Sequence, residues 1–277
     1  MGDSDADRGS FVPDVDLSRP SDARIYDLFL GGKNNFEVDR QLFQQILKIA
    51  PETPAVAREN RRWLADIVRR MVRPGGIDQF LDLGAGLPTE ENTHELVLKA
   101  NPRATVVYVD KDPTVIAHGQ ALLADDNRSH FAGADLADPA AVLANPVVSR
   151  ALELDRPVGV ILALVLHQLP DTAQVREIVA AYVSALPSGS YLAISHASNP
   201  RDGSRLAEFS TAVEDKFRDA FPSISFRTPD EIASLFEGVE LLEPGLVGLS
   251  DWWPDDERQV SRSGAGSLVL AGLARKP

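Results

Sequence analysis

Cysteine is absent from this chain, which excludes disulfides, thiolate nucleophiles and cysteine-ligated zinc. Long apolar runs are missing too. The longest, Val158 to Leu166, is too short to cross a bilayer. Residues 1–20 are acidic and lack the apolar stretch of a secretion signal, so a cytoplasmic setting and no membrane partner are expected. Basic charge is scarce: 28 Lys and Arg stand against 41 Asp and Glu, a formal charge of −13. A chain so acidic repels phosphate backbones, and nucleic acid is a poor partner for it. The densest basic cluster is Arg58, Arg61, Arg62, Arg69, Arg70 and Arg73, and it reads as the solvated face of a helix. The five histidines show no metal-ligand spacing, and no nucleophile–base pair is visible.

What is present is an ordinary globular composition, 44% hydrophobic over 277 residues, enough for one large domain with an accessory cap. Residues 1–20, rich in Asp, Ser and Pro, read as a flexible arm. Residues 21–74 read as a helical cap, interrupted at Gly31-Gly32, with a long helix from about Ala55 to Val72. From residue 75 to 277 the pattern becomes strand–helix alternation. Strands are predicted at 79–83, 105–110, 129–132, 158–164, 191–196, 239–247 and 267–273. Helices are predicted between the first five, followed by one at about 205–221 and a short one at 229–236. This is the signature of an α/β fold with a mostly parallel sheet. The last two strands have no convincing helix between them, which points to an antiparallel finish.

The most telling stretch is Phe80-Leu81-Asp82-Leu83-Gly84-Ala85-Gly86, followed by Tyr108-Val109-Asp110. An apolar strand runs into a glycine turn, and a second strand ends on an acid placed to take both ribose hydroxyls of an adenosine. Thr89 reads as the N-cap of the next helix, with Glu90 and Glu91 in its first turn. Acids there, with Asp82 close by, disfavour a pyrophosphate. They suit a phosphate-free, cationic adenosine cofactor, S-adenosylmethionine, better than NAD or FAD. Asp112 before Pro113 reads as a helix cap, leaving Asp110 for the ribose; Lys111 lies between them in the turn. Asp138 caps the next helix in the same way, leaving Asp135, beside Leu136, to meet the adenine. Ala163 and Leu164 end the fourth strand at the ligand crevice. His167 and, second, His196 are candidate bases. In the cap, Tyr26, Lys33, Asn34 and Asn35 are candidate lid or substrate contacts.

Taken together, the 20–40 segment with its Gly31-Gly32-Lys33-Asn34-Asn35-Phe36 signature, the 82–89 turn, Val109-Asp110-Lys111-Asp112-Pro113, Leu166-His167 and Ser195-His196-Ala197 resemble a known family. It is the actinobacterial S-adenosylmethionine-dependent methyltransferases once grouped as DUF574, and the likeness covers about residues 20–275. The family pattern carries Asp where Asn34 stands and Thr where Ala85 stands. The resemblance implies a Rossmann-like class I methyltransferase fold, a seven-stranded sheet with the last strand antiparallel, and cofactor contacts at Gly84, Gly86, Asp110 and Asp135. The expected function is methyl transfer to a small-molecule acceptor; the alternative is a non-catalytic regulatory protein that binds S-adenosylmethionine or S-adenosylhomocysteine.

Overall fold

The computed structural model describes residues 16–89, 91–123, 126–252 and 266–277. Most of the expected N-terminal arm, the expected helix-cap acid Glu90 and much of the linker before the last strand lie outside the described residues.

Strand formation follows the period of the sequence. Along β1 (Gln79–Leu83), Leu81 and Leu83 face one side of the sheet while Phe80 faces the other. β2 (Thr105–Asp110) repeats the alternation, with Val107 and Val109 opposed to Val106 and Tyr108. Such strands, buried on both faces, need a helix layer on each side. One layer is α3 (Thr53–Val72), α4 (Thr93–Ala100) and α5 (Pro113–Leu122), which cover β1 and β2 through Trp63, Ile67, Met71, Val97 and Val115. The other layer is α6 (Pro139–Ala144), α7 (Pro146–Ala151), α8 (Thr172–Ala185) and the turn that follows α10 (Pro229–Ala233), joined through Val142, Val148, Val179, Tyr182, Leu235 and Phe236.

The sheet is completed by β3 (Ser129–Gly133), β4 (Gly159–Ala163), β5 (Tyr191–Ala197), β6 (Glu240–Leu241), β7 (Val247–Gly248) and β8 (Val269–Arg275), in the order β3-β2-β1-β4-β5-β8-β6, with β7 also on β8. β1 to β5 are parallel, and β8 runs antiparallel to β5, β6 and β7. The strand expected over 239–247 is present as two short pieces, β6 and β7, on the same edge of β8. Residues 242–246 interrupt it, and that is why the sheet counts eight strands rather than seven.

α1 (Asp22–Phe29) and α2 (Glu37–Ile49) form the cap. Ile25, Phe29, Leu42 and Ile46 pack with Ala57 of α3 and with Phe217 and Phe221 at the end of α9 (Arg205–Ala220) and just after it. α3 is shared: its first turns serve the cap, and its later turns belong to the main core. The helix expected from Glu90 begins instead at Thr93, capped by Asn92 with Glu95 reciprocating. Thr89 is therefore not its N-cap, and Glu91 precedes the helix rather than opening it.

Candidate functional site

Parallel strands carry their ligand crevice at their carboxyl ends. Here a cavity of about 470 Å³ lies there, roofed by α1 and the residues before it. The residues after β3, β2, β1 and β4 contribute its floor in that order: Asp135 and Leu136, Asp110 and Lys111, Gly84 to Gly86, then Ala163 and Leu164.

The glycine turn explains its own composition. Gly84 has φ +73°, and a Cβ on it would stand 2.3 Å from Val165 Cγ2. Gly84 and Ala85 both donate their N–H to Val109 O, and Gly86 donates to Asp110 Oδ2 at 2.9 Å. All three turn amides are thus engaged inside the protein. None is left to cradle a phosphate, and α4 starts too late to point its N-terminus at one. This is a firmer reason against a dinucleotide than the acids at 90–91.

Asp110 accepts one backbone N–H on each oxygen, Gly86 on Oδ2 and Asp112 on Oδ1, leaving further lone pairs toward the cavity. Burial raises its pKa, against the pull of those two amides. Asp112 caps α5, as expected. Asp135 accepts from Ala137 N and from Lys111 Nζ at 3.0 Å, so Lys111–Asp135 is an ion pair at the half-exposed β3 end of the cavity. Asp82 is buried, accepts from Thr93 Oγ1 at 2.7 Å, and is pushed up to about 6 by burial.

The cap reaches over this floor from two adjacent residues. Ser21 Oγ donates to Asp112 Oδ2 at 2.8 Å on the β2 side, and Asp22 accepts from Gln168 Nε2 on the β4 side. Tyr26 accepts from Asn60 Nδ2 at 2.9 Å, and Asn60 Oδ1 accepts from Ser195 Oγ at 2.7 Å. Leu164 N donates to Ser195 Oγ, which holds Leu164 in its left-handed conformation at φ +49°.

Of the residues singled out from sequence, Asp82, Gly84, Ala85, Gly86, Asp110, Lys111, Asp135, Leu136, Ala163, Leu164 and Tyr26 border the cavity together. Five others do not, and each has a physical reason. Lys33, Asn34 and Asn35 belong to the α1–α2 turn. Asn34 N donates to buried Asp27, Asn35 Nδ2 donates to Gly32 O, and a Cβ on Gly32 would stand 2.0 Å from Asp27 Oδ1. Arg24, which does border the cavity, pairs with buried Asp39 at 2.7 Å and lies over the Phe36 ring. The Gly-Gly signature is thus a brace for the cap, and Asn34 in place of Asp leaves the cavity wall untouched. His196 is fully buried: Nδ1 donates to Ala197 O, and Nε2 accepts from Arg227 at 2.8 Å. His167 packs edge-on against His196 and Phe226, and burial beside the Arg227 charge lowers it to about 4. Neither ring borders the cavity, so neither is placed to act as a base there.

Among the cavity residues that carried no site expectation are Asp22, Asn60, Arg61 and Gln168. Arg61 had been grouped with a solvated arginine face. Yet Ala57, Asn60, Arg61 and Leu64 share one stripe of α3 by the i, i+3, i+4, i+7 rule, and the last three of them border the cavity. That spacing was the available signal.

A five-strand parallel run with an antiparallel strand beside it, an acid-ended β2 and a glycine turn without free amides define a class I S-adenosylmethionine-dependent methyltransferase. The family model described as S-adenosyl methyltransferase matches residues 9–277, and the chain belongs to that family. It is similar to a candidate methyltransferase from Thermobifida fusca YX: 41% identity, 94% of this chain and 96% of that one covered, TM-score 0.87. It is similar also to a DUF574 family protein from Streptomyces avermitilis MA-4680: 34% identity, 95% and 99% covered, TM-score 0.87. The N-methyltransferase NodS of Bradyrhizobium japonicum WM9, solved with S-adenosylhomocysteine, shares the fold alone at 15% identity, with 85% and 98% covered and TM-score 0.50. No curated protein sequence matches the chain. The cofactor is S-adenosylmethionine, and the family favours the enzyme over a regulatory binder. Among the described residues no helix is long and apolar enough to cross a membrane.

Proposed function

We propose that the cavity under the cap binds S-adenosylmethionine along the strand ends and that the chain transfers its methyl group to a small-molecule acceptor in the cytoplasm. The observation that carries this reading is the donor set. Carboxylates on β1, β2 and the cap surround a turn whose amides are engaged, an arrangement that favours a cation over a phosphate.

When bound, the cofactor supplies an electrophilic methyl on a sulfonium. Asp110 would hold the ribose hydroxyls with its remaining lone pairs. Leu136 and Asp135 would meet the adenine, with Lys111 holding the acid in place. Gly86, where an added Cβ would meet nothing within 4 Å, leaves room for the ligand to approach the backbone. Ala163 and Leu164 would wall the reacting end, and Arg61 is the cavity cation on α3 suited to the methionine carboxylate. Tyr26 and Asn60 close the roof and exclude water, and positioning of this kind is a large part of the catalysis of a displacement.

Calorimetric titration with S-adenosylmethionine, S-adenosylhomocysteine and NAD tests the reading. Binding of both sulfur compounds and no binding of NAD are expected. NAD binding with neither sulfur compound retained would overturn it.

A further inference from the structure

With His167 and His196 turned away, the acceptor side of the cavity needs another group to receive a proton, and the sheet order says where that side is. Adenine and ribose contacts fall after β3 and β2. The reacting end of the cofactor therefore lies toward β1 and β4, under α1.

Over that end stands Asp22. One of its oxygens accepts from Gln168 Nε2, on the turn after β4; the other has no hydrogen-bond partner among the described residues. The neighbouring candidates are committed elsewhere. Tyr26 is tied to Asn60 and Ala57 O, Asp82 to Thr93, and both oxygens of Asp110 to backbone amides. Asp22 opens α1, so the cap rather than the floor carries it, and its bond to Gln168 joins the two.

We propose that Asp22 presents its carboxylate to the transferred methyl group from the acceptor side, where it orients an O–H or N–H acceptor and takes its proton. In the transfer, a lone pair on the acceptor oxygen or nitrogen forms a bond to the methyl carbon as the carbon–sulfur bond breaks. That bond's electron pair goes to sulfur, leaving a neutral thioether. The proton on the acceptor atom passes to Asp22. Burial, with the Asp110 charge adding to it, pushes the Asp22 carboxyl up to about 6, a base strength suited to neutral pH. The assignment rests on the cofactor reading above.

Sinefungin tests it without an acceptor, because in that cofactor analogue a carbon replaces the sulfur and carries an amine where the transferred methyl group would be. Wild-type protein is expected to bind sinefungin about tenfold to a hundredfold more tightly than S-adenosylhomocysteine, the range of a charge-assisted hydrogen bond. Asp22→Asn should erase that preference by removing the charge-assisted contact, while S-adenosylhomocysteine, whose neutral sulfur makes no such contact, keeps its affinity within about threefold. Asp22→Glu should recover part of the preference, and Asp22→Ser replaces the Asn variant should that one not fold. Equal wild-type affinities, or a preference that survives loss of the carboxylate, overturn the assignment and leave the cofactor site standing. Failure of both compounds to bind overturns the site itself.

Discussion

At Gly84 two constraints meet: a left-handed backbone and a neighbour, Val165, that leaves no room for a methyl group. Gly86 carries only the first, because an added Cβ there meets nothing within 4 Å. Gly86→Ala should therefore cost about 1–2 kcal/mol, and Gly84→Ala about 2–5 kcal/mol, in urea unfolding. Similar losses for the two would show that Val165 yields. Asp110→Ala should weaken S-adenosylmethionine binding by about 1–3 kcal/mol, the cost of removing one partner from a buried hydrogen-bonded group, and calorimetry reads it directly. The acids also predict a pH dependence. Asp22 and Asp82 sit near 6 in the folded chain against an ordinary 3.8. Since the folded value is the higher, their stabilising contribution is complete below 3.8 and is lost as pH rises through about 6. A cationic cofactor favours the ionised acids, so its affinity should climb between pH 5 and 7 with release of protons. Titrations in buffers of different ionisation enthalpy measure that release, and a flat profile would separate these acids from the ligand.

α1 is the element that roofs the cavity. Its two bonds to the floor come from consecutive residues, Ser21 to Asp112 and Asp22 to Gln168, while the Arg24–Asp39 pair holds it to the start of α2. Ser21→Ala should speed hydrogen exchange in α1 about two- to tenfold, the equivalent of one hydrogen bond, and leave β1 and β2 unchanged. Acceleration throughout the sheet would mean that the cap does not open by itself. Elements like β1 and β2 were legible to the residue, because each is an apolar run that stops on a glycine or an acid. α7 was not, since a six-residue helix between two prolines gives too little periodicity to read. The roles of Lys33, Asn34 and Asn35 were misread for a different reason. Unusual residues at a glycine turn serve a ligand or the turn itself, and only the position of the Asp27 carboxylate distinguishes the two. His167 follows β4 and His196 stands next to last in β5, near strand ends as site residues do, yet sequence could not show the buried Arg227 that occupies His196.

For the whole molecule, ligand and fold are linked. At about a hundred times its dissociation constant, S-adenosylmethionine should add about 2.7 kcal/mol and raise the melting temperature by about 5–10 °C. NAD should leave it unchanged, and the reverse pattern would contradict the site. The parallel core and the strand-end residues that border the cavity could be read from the chain because they rest on local runs. The side of the cavity under α1 could not, because it is assembled from α1, α3 and the β4 turn, which are far apart in sequence. The interrupted outer strand has a consequence of another kind. An unbroken edge offers a row of unpaired amides to which any extended chain can add, the usual route to aggregation. Here that edge is two pieces of two residues each, β6 and β7, separated by 242–246. On this side a foreign strand finds no continuous ladder to extend, so the break that adds to the strand count also guards the β8 edge; the opposite edge, β3, is unbroken.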